Sequence, residues 1–268
     1  MSKKPLGKGA YGKVYLCRVP LPDGSDVTAV LKRMHRTTQE AVVLSEVAAM
    51  ERLRGCGGCV QLLAHGVHGG RRALLLEYCA GGSLADRLEQ QDACCGRQPT
   101  RLLTPVPALR ELAAQRLRGL ANVHASGVIH QDIKPDNLLF DQAGELRIAD
   151  FGTAAPRMDD GMYDTAGAGS RTYMAPEALA LVDGKPCQHP VTDKADVYSV
   201  GATLLEAAWL YTDPAFRFAF MRGLNTTVPQ FVPPSLLAFL SWLTHPDPSQ
   251  RPSAREALES GWVRGSSG

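Results

Sequence analysis

The chain has 268 residues, of which 44% are hydrophobic and 21% charged, an ordinary globular balance. A formal charge of +2 is too small to argue for a nucleic-acid partner, and no run approaches the ~18 apolar residues that a membrane span needs. The stretch Met1 to Gly7 has no apolar run behind its lysines and does not read as a signal peptide, so the expectation is a soluble protein of the cytoplasm or nucleus that binds neither nucleic acid nor membrane, its oligomeric state left open.

Leu6-Gly7-Lys8-Gly9-Ala10-Tyr11-Gly12-Lys13-Val14 is a glycine-rich loop running into a strand. Glycines let the backbone approach a phosphate closely, and unpaired N–H groups can face its oxygens. Alone, the pattern also fits a hairpin turn. A dinucleotide loop would open a helix, whereas Val14-Tyr15-Leu16 continues as strand. Strands are expected from Tyr11 to Val19 and from Val27 to Arg33, around the turn Pro20-Leu21-Pro22-Asp23-Gly24. Thr37 and Glu40 have the spacing of a capping box, opening a helix with Val43, Val47, Met50 and Leu53 on its apolar stripe. Glu46 falls on that stripe, where a carboxylate is costly unless paired. Lys32, near the end of the preceding strand, is its natural partner, whereas Glu40 and Glu51 fall on the outer face.

Cys56-Gly57-Gly58-Cys59 reads as a Gly-rich turn that stops the helix. Its CxxC spacing would need two more ligands to hold zinc, and Cys94-Cys95 is the only other close pair. Seven cysteines in a large chain, an odd number, fit free thiols. Val60 to Val67 and Ala73 to Tyr78 read as two more strands joined at Gly69-Gly70. After Gly81-Gly82 the pattern turns helical. Ser83 is an N-cap, Asp92 to Pro107 reads as a loop, and Ala108 to His124 is a long helix with Leu109, Leu112, Ala113, Leu117 and Leu120 on one side. Ala195 to Trp209, Ser235 to Leu243 and Ala254 to Ser260 are helical, and Arg264 to Gly268 reads as a frayed end. The expected fold is α+β in a single domain, 1–268: a β-rich lobe over 1–77, a hinge over 78–82 and a larger helical lobe over 83–268, with a ligand cleft between the lobes.

The chemistry falls in His130-Gln131-Asp132-Ile133-Lys134-Pro135-Asp136-Asn137. Asp132 can accept the proton of a hydroxyl, Lys134 can neutralise charge on a transferring phosphoryl group, and Asn137 can offer a carbonyl oxygen to Mg²⁺. Asp150-Phe151-Gly152 adds a carboxylate for the metal. Phosphoryl transfer asks a protein mainly for positioning and charge neutralisation, and Mg²⁺ takes oxygen ligands that it shares with phosphates. Read singly, Asp132 is a turn residue and Asp150 a strand cap. Neither reading explains why all four groups fall in order within one hairpin.

These residues resemble the eukaryotic protein kinase family, and the resemblance covers nearly the whole chain. Gly7, Gly9, Gly12 and Val14 match its glycine loop, and Lys32 and Glu46 its small-lobe ion pair. Leu76-Glu77-Tyr78-Cys79 resembles the hinge, with Leu76 as gatekeeper and the Cys79 backbone near adenine. Asp132, Lys134 and Asn137 match the catalytic loop and Asp150 the metal aspartate. Ala175-Pro176-Glu177 closes the activation segment, its glutamate expected to pair with Arg251, and Asp196 resembles the aspartate that braces the catalytic loop. The resemblance implies ATP and Mg²⁺ as cofactors, with the nucleotide lined by Leu6, Val30, Glu77 and Leu139 as well, and a protein substrate. Lys134-Pro135, and Ser170 placed to contact Asp132 and Lys134, imply the serine/threonine type. A scaffold of the same fold that binds nucleotide without transfer is the rival reading, although it usually lacks one of Lys32, Asp132 and Asp150; small-molecule kinases lack the Ala175-Pro176-Glu177 segment. Two positions depart from the family. Gln131 stands where an arginine usually grips a phosphorylated residue of the activation segment, for which Tyr163, Thr165, Ser170 and Thr172 are candidates. Val30 stands where alanine usually lies over adenine, crowding the nucleotide.

Overall fold

Alternating β-branched and aromatic residues at the start of the chain build an antiparallel sheet. In the computed structural model, which describes residues 2, 4–9, 11–95 (backbone only for 92–95), 102–158, 163, 169–208 and 231–265, its strands are β1 (Gly7–Lys8), β2 (Gly12–Pro20), β3 (Asp26–Met34), β4 (Leu62–His68) and β5 (Arg71–Glu77). Ala10, Thr165 and Trp209 lie outside the described residues. The sheet order is β1-β2-β3-β5-β4. Its register sets Val14 opposite Lys32 and aligns Leu16, Val30 and Leu76 in one row. Since side chains alternate with period two, Val14, Val30, Lys32 and Leu76 share one face.

Helix α1 (Glu40–Arg52) packs on that face and buries Val43, Glu46, Val47, Ala49 and Met50. The expected capping box does not form: the N-cap is Gln39, without a side-chain cap bond. The hydroxyl of Thr38, the residue after the expected cap Thr37, donates to the Tyr11 carbonyl at 3.0 Å, tying the helix entrance to the glycine loop. The fourth strand begins two residues later than expected, because the Val60 N–H is spent on the Ile148 carbonyl in the helical half (2.9 Å).

Gly81 and Gly82 make the joint. A Cβ at Gly81 would lie 2.7 Å from Phe140 Cβ, and Gly82 has φ +71°. Backbone bonds Gly81 N–H to Phe140 O (2.8 Å) and Phe140 N–H to Gly82 O (2.9 Å) fix the crossing. Ser83 caps α2 (Leu84–Cys95) as expected, its Oγ accepting from Asp86 N–H at 3.0 Å. The loop expected from Asp92 to Pro107 is shorter at both ends. α2 runs through Cys95, and α3 (Val106–Ala125) starts with Pro107 in its first turn, where a missing N–H costs nothing.

α3 is the axis of the helical half, with Leu109, Ala113, Leu117 and Leu120 fully buried. Short strands β6 (Val128–Ile129), β7 (Leu138–Phe140), β8 (Leu146–Ile148) and β9 (Ala155–Pro156) lie beside it, pairing β6 with β9 and β7 with β8. They are too short to leave a period-two signature in the sequence. Helix α4 (Pro176–Val182) was not expected either; α5 (Lys194–Ala208) and the helices Pro234–Leu243 and Ala254–Glu259 were. Arg264 is not frayed: it ends a one-turn helix, Gly261–Arg264, capped by Ser260. One contiguous apolar core runs from Met34 and Val47 through Leu117 and Ile148 to Leu204 and Leu240. No described helix is long and apolar enough to cross a membrane.

Candidate active site

Strand β3 and helix α1 bring Lys32 and Glu46 together, as their positions in the sequence require. Lys32 Nζ lies 2.5 Å from Glu46 Oε1 and 2.7 Å from Asp150 Oδ1, so one ammonium bridges two carboxylates. Burial works against the charge on Lys32, but Glu46 and Asp150 outweigh it and hold the ammonium pKa above its ordinary value. Burial also opposes the charge on Asp150; Lys32 reverses the balance, and its pKa lies below the usual carboxylate range. Glu46 goes the other way. Burial, with the nearby Asp150 charge, raises it more than Lys32 lowers it, and its Oε2 is sealed in with no hydrogen-bond partner among the described residues.

The 130–137 segment is pinned from below by Asp196, which is 1% exposed. Its Oδ2 accepts from His130 N–H (2.8 Å) and contacts His124 Nε2 (2.9 Å), and its Oδ1 accepts from Gln131 N–H (2.8 Å). Burial disfavours this carboxylate, yet its bonds to His124 and to the His130 N–H outweigh burial and leave its pKa lowered. His130 is fully buried, accepts from Asp132 N–H at 3.2 Å through Nδ1, and so donates from Nε2 to the Ala149 carbonyl at 3.0 Å. Gln131 adopts φ 67°, a left-handed conformation rare outside glycine. Its amide donates to Thr153 O (2.7 Å), and Thr153 Oγ1 donates back to His130 O (3.0 Å).

Asp132 faces a ring of donors. Lys134 Nζ reaches its Oδ2 at 2.7 Å and Ser170 Oγ at 2.8 Å. Ser170 was expected to touch Asp132 through its hydroxyl; it does so through its backbone N–H, 2.8 Å from Oδ1, leaving the hydroxyl to Lys134. Asn137 spends its amide N–H groups on Asp132 O (2.9 Å) and Oδ2 (3.1 Å). That fixes the rotamer and turns its carbonyl oxygen away. Asp150 sits at φ 63°, ahead of a single 3-10 turn over Phe151–Thr153. Asn137 and Asp150 offer two oxygen donors, with no closed cage of three or more His, Cys, Asp or Glu among the described residues. That set suits a divalent ion that completes its shell with phosphate and water.

A small apolar cluster of Val60, Cys79 and Ala149 sits where the joint meets the helical half, with Leu76 and Leu139 half-buried against it. Among the described residues nothing bonds the Cys79 N–H or C=O, leaving both for a flat polar ring edge laid on this cluster. Burial, reinforced by Glu77, pushes the Cys79 thiol up to about 12, so it stays neutral. Glu77 itself turns to Gln61, accepting from its N–H at 3.2 Å. Above the cleft, Gly9 N–H bonds Gly12 O at 2.9 Å, and the Tyr11 ring rests against Gly152. Leu6 is 55% exposed at the cleft mouth, bonded to Val14 O only through its backbone.

Far from the cleft, Arg251 and Glu177 meet as expected, in a two-pronged pair at 2.6 and 2.8 Å with side chains 0% and 2% exposed. Residues that the sequence did not single out are His124, Thr153 and Gln61. His124 and Thr153 act through tertiary contacts, and Gln61 adds bonds to the nearby Gly55, Cys56 and Cys59 to its contact with Glu77; the one local hint was a hydroxyl directly after Asp150-Phe151-Gly152.

Comparison with known proteins matches residues 1–263 to the family model "Protein kinase domain". Similar curated proteins include Mitogen-activated protein kinase kinase 1 of Arabidopsis thaliana, 28% identical over 97% of this chain and 73% of its own length. Serine/threonine-protein kinase STE20 of Candida glabrata is 26% identical over 96% of this chain. Human Serine/threonine-protein kinase 10 is 29% identical over 96%. The chain spans 27% and 26% of the length of these last two.

Proposed function

The chain belongs to the protein kinase domain family, and on that premise we propose that it transfers the γ-phosphoryl group of ATP, with Mg²⁺, to serine or threonine hydroxyls of protein substrates. The observation that carries this reading is the Lys32 bridge to Glu46 and Asp150, standing together with the Asp132–Lys134–Asn137 cluster. ATP supplies the phosphoryl group, and Asn137 and Asp150 hold its metal ion. Lys32 positions the phosphates, Asp132 takes the hydroxyl proton, and Lys134 neutralises charge on the group in flight. The apolar bed of Leu76, Leu139 and Ala149 and the free backbone of Cys79 receive adenine. A scaffold that binds nucleotide without transfer has no use for the cluster around Asp132. The test is ATP/Mg²⁺ transfer onto a peptide library: phosphate appears on serine and threonine peptides and not on tyrosine peptides. Absence of transfer to any peptide would favour the scaffold.

Gln131 bears on control. Its neutral hydrogen bond to Thr153 O joins the catalytic loop to the start of the activation segment, where an arginine would require a phosphate partner. Phosphatase treatment of the purified protein is therefore expected to leave its transfer rate unchanged; loss of activity overturns this.

Val30 shares a row with Leu16 and Leu76 on the cleft face and crowds the adenine bed. Val30→Ala is expected to tighten ATP binding about fivefold, equivalent to the ~1 kcal/mol at which overpacking costs begin. Calorimetry with ATP checks it, and an unchanged Kd refutes it.

A further inference from the structure

The turn Cys56-Gly57-Gly58-Cys59 takes no part in the chemistry above, yet it is built as a unit. Its two sulfurs lie 4.0 Å apart. Gln61 Nε2 donates to both Cys56 O (3.0 Å) and Cys59 O (3.2 Å), while its Oε1 accepts from Gly55 N–H (2.8 Å). From α3, Asn122 Nδ2 donates to Gly57 O at 3.0 Å. Gly58, at φ +85°, presses so close to α3 that a Cβ would lie 2.6 Å from Gly119 Cα. A four-residue turn brings its end Cα atoms within ~7 Å, and a disulfide spans roughly 4.4–6.8 Å between Cα atoms. Cys56 is only partly buried, and Cys59 lies fully buried beside it. One sulfur can therefore meet a small oxidant while the other waits to resolve the product. The Cys59 hydrogen bond, helped by Ser126, brings the Cys56 pKa down to about 7, whereas its bond to Cys56, and then burial, keep Cys59 protonated.

The turn also touches both halves of the site. Cys56 N–H bonds Leu53 O (2.9 Å), just past the end of the helix that carries Glu46. Gly58 O accepts from Ile148 N–H (2.8 Å) and Ile148 O accepts from Val60 N–H (2.9 Å), so Cys59 is held against β8, two residues before Asp150.

We propose that Cys56 and Cys59 form a peroxide-oxidised dithiol site, and that closing its disulfide disturbs the Lys32 bridge and slows phosphoryl transfer. The Cys56 thiolate attacks one oxygen of hydrogen peroxide. The O–O bond breaks, and hydroxide leaves to be protonated as water, giving a sulfenic acid. The Cys59 sulfur, releasing its proton, attacks the Cys56 sulfur; the S–O bond breaks and a second water leaves. The two thiols give up two electrons and two protons, and the peroxide receives them. Closing the sulfurs from 4.0 Å to the ~2.05 Å of an S–S bond draws together a turn that is tied to the end of α1 through Leu53 O and to β8 through Ile148, and in this proposal the pull reaches those two elements. The reduced protein already has Lys32 on both Glu46 and Asp150, so any shift works against that bridge.

The activity arm of this proposal rests on the phosphotransferase reading; the thiol arm does not. Trypsin cuts after Arg54 and Arg71 and releases both cysteines, with no other, in one peptide. After treatment of the full chain with hydrogen peroxide and then iodoacetamide, that peptide is expected two hydrogens lighter and unalkylated. Transfer is expected to fall ten- to a hundredfold, since misplacement by ~1 Å costs about 10²-fold. The thermal shift on adding ATP/Mg²⁺ shrinks with it, and dithiothreitol restores both. Cys56→Ser, at the more exposed cysteine, shows neither change. Two alkylated cysteines, or Cys56 oxidised alone, overturn the site. A disulfide that leaves both transfer and the ATP-induced shift unchanged overturns the coupling. If the reduced protein transfers nothing, the phosphotransferase reading fails, and the peptide map with the ATP-induced shift still decides this proposal.

Discussion

Asp132→Asn is expected to lower kcat for peptide phosphorylation by about 10²–10⁴, the contribution of a positioned general base, with the KM for ATP near the parent value. The two effects separate because the contacts lie apart. In the proposed reaction Lys32, Asp150, Leu76 and Leu139 handle the nucleotide, whereas Asp132 bonds to Ser170, Lys134 and Asn137, of which only Asn137 also serves the metal ion of ATP. Asparagine keeps the shape but cannot accept a proton. It also meets a ring of donors: the Ser170 N–H claims one carboxylate oxygen, and Lys134 with Asn137 the other. An amide has one acceptor oxygen, so its NH₂ must confront one of these donors, whichever way it is turned. The side chain is thus pushed out of place as well as disarmed. Steady-state kinetics with a serine peptide checks this, and a variant within tenfold of the parent would remove Asp132 from the role of base.

Most of the residues proposed to carry this chemistry were legible because they sit in short motifs. Lys32 and Glu46 could be paired from physics alone: a carboxylate on the apolar stripe of a helix needs a cation, and the preceding strand holds one. Arg251 and Glu177, 74 residues apart, left no such local cost to read; only the family resemblance joined them. The bracing by Asp196 likewise came from resemblance, and His124 beside it was missed, since a histidine at the end of a helix carries no periodic signal. The left-handed backbone of Gln131 was invisible for a related reason. It is imposed by two tertiary anchors, Asp196 on its N–H and Thr153 on its amide, and local propensity opposes it. The capping box of Thr37 and Glu40 failed because the helix opens at Glu40 itself, with Gln39 as N-cap, and the Glu40 carboxylate pairs with Arg72, a partner that exists only once β5 is folded beside the helix. Spacing finds groups that must be satisfied locally; it does not find those whose partners arrive with the fold.

Arg251→Met should produce the largest stability loss. The guanidinium is fully buried and all five of its N–H groups are spent: two on Glu177, and the rest on His245 O (2.6 Å), Lys194 O (3.2 Å) and Pro246 O (3.0 Å). Removing it strands a carboxylate that is 2% exposed, and breaking a buried pair from one side costs about 3–5 kcal/mol. At roughly 2–4 °C per kcal/mol for a domain near this size, Tm falls by about 6–20 °C. Glu177→Met strands the opposite charge, but the three backbone carbonyls still hold the guanidinium, so its loss is smaller. The double variant removes both charges. It recovers the cost of the stranded carboxylate but not of the three orphaned carbonyls. Its total therefore falls below the sum of the single losses by about 0.5–3 kcal/mol, the usual coupling of residues in contact, while remaining less stable than the parent. Thermal unfolding of the four proteins closes the cycle, and strictly additive losses would show that the pair holds α4 no better than two independent contacts.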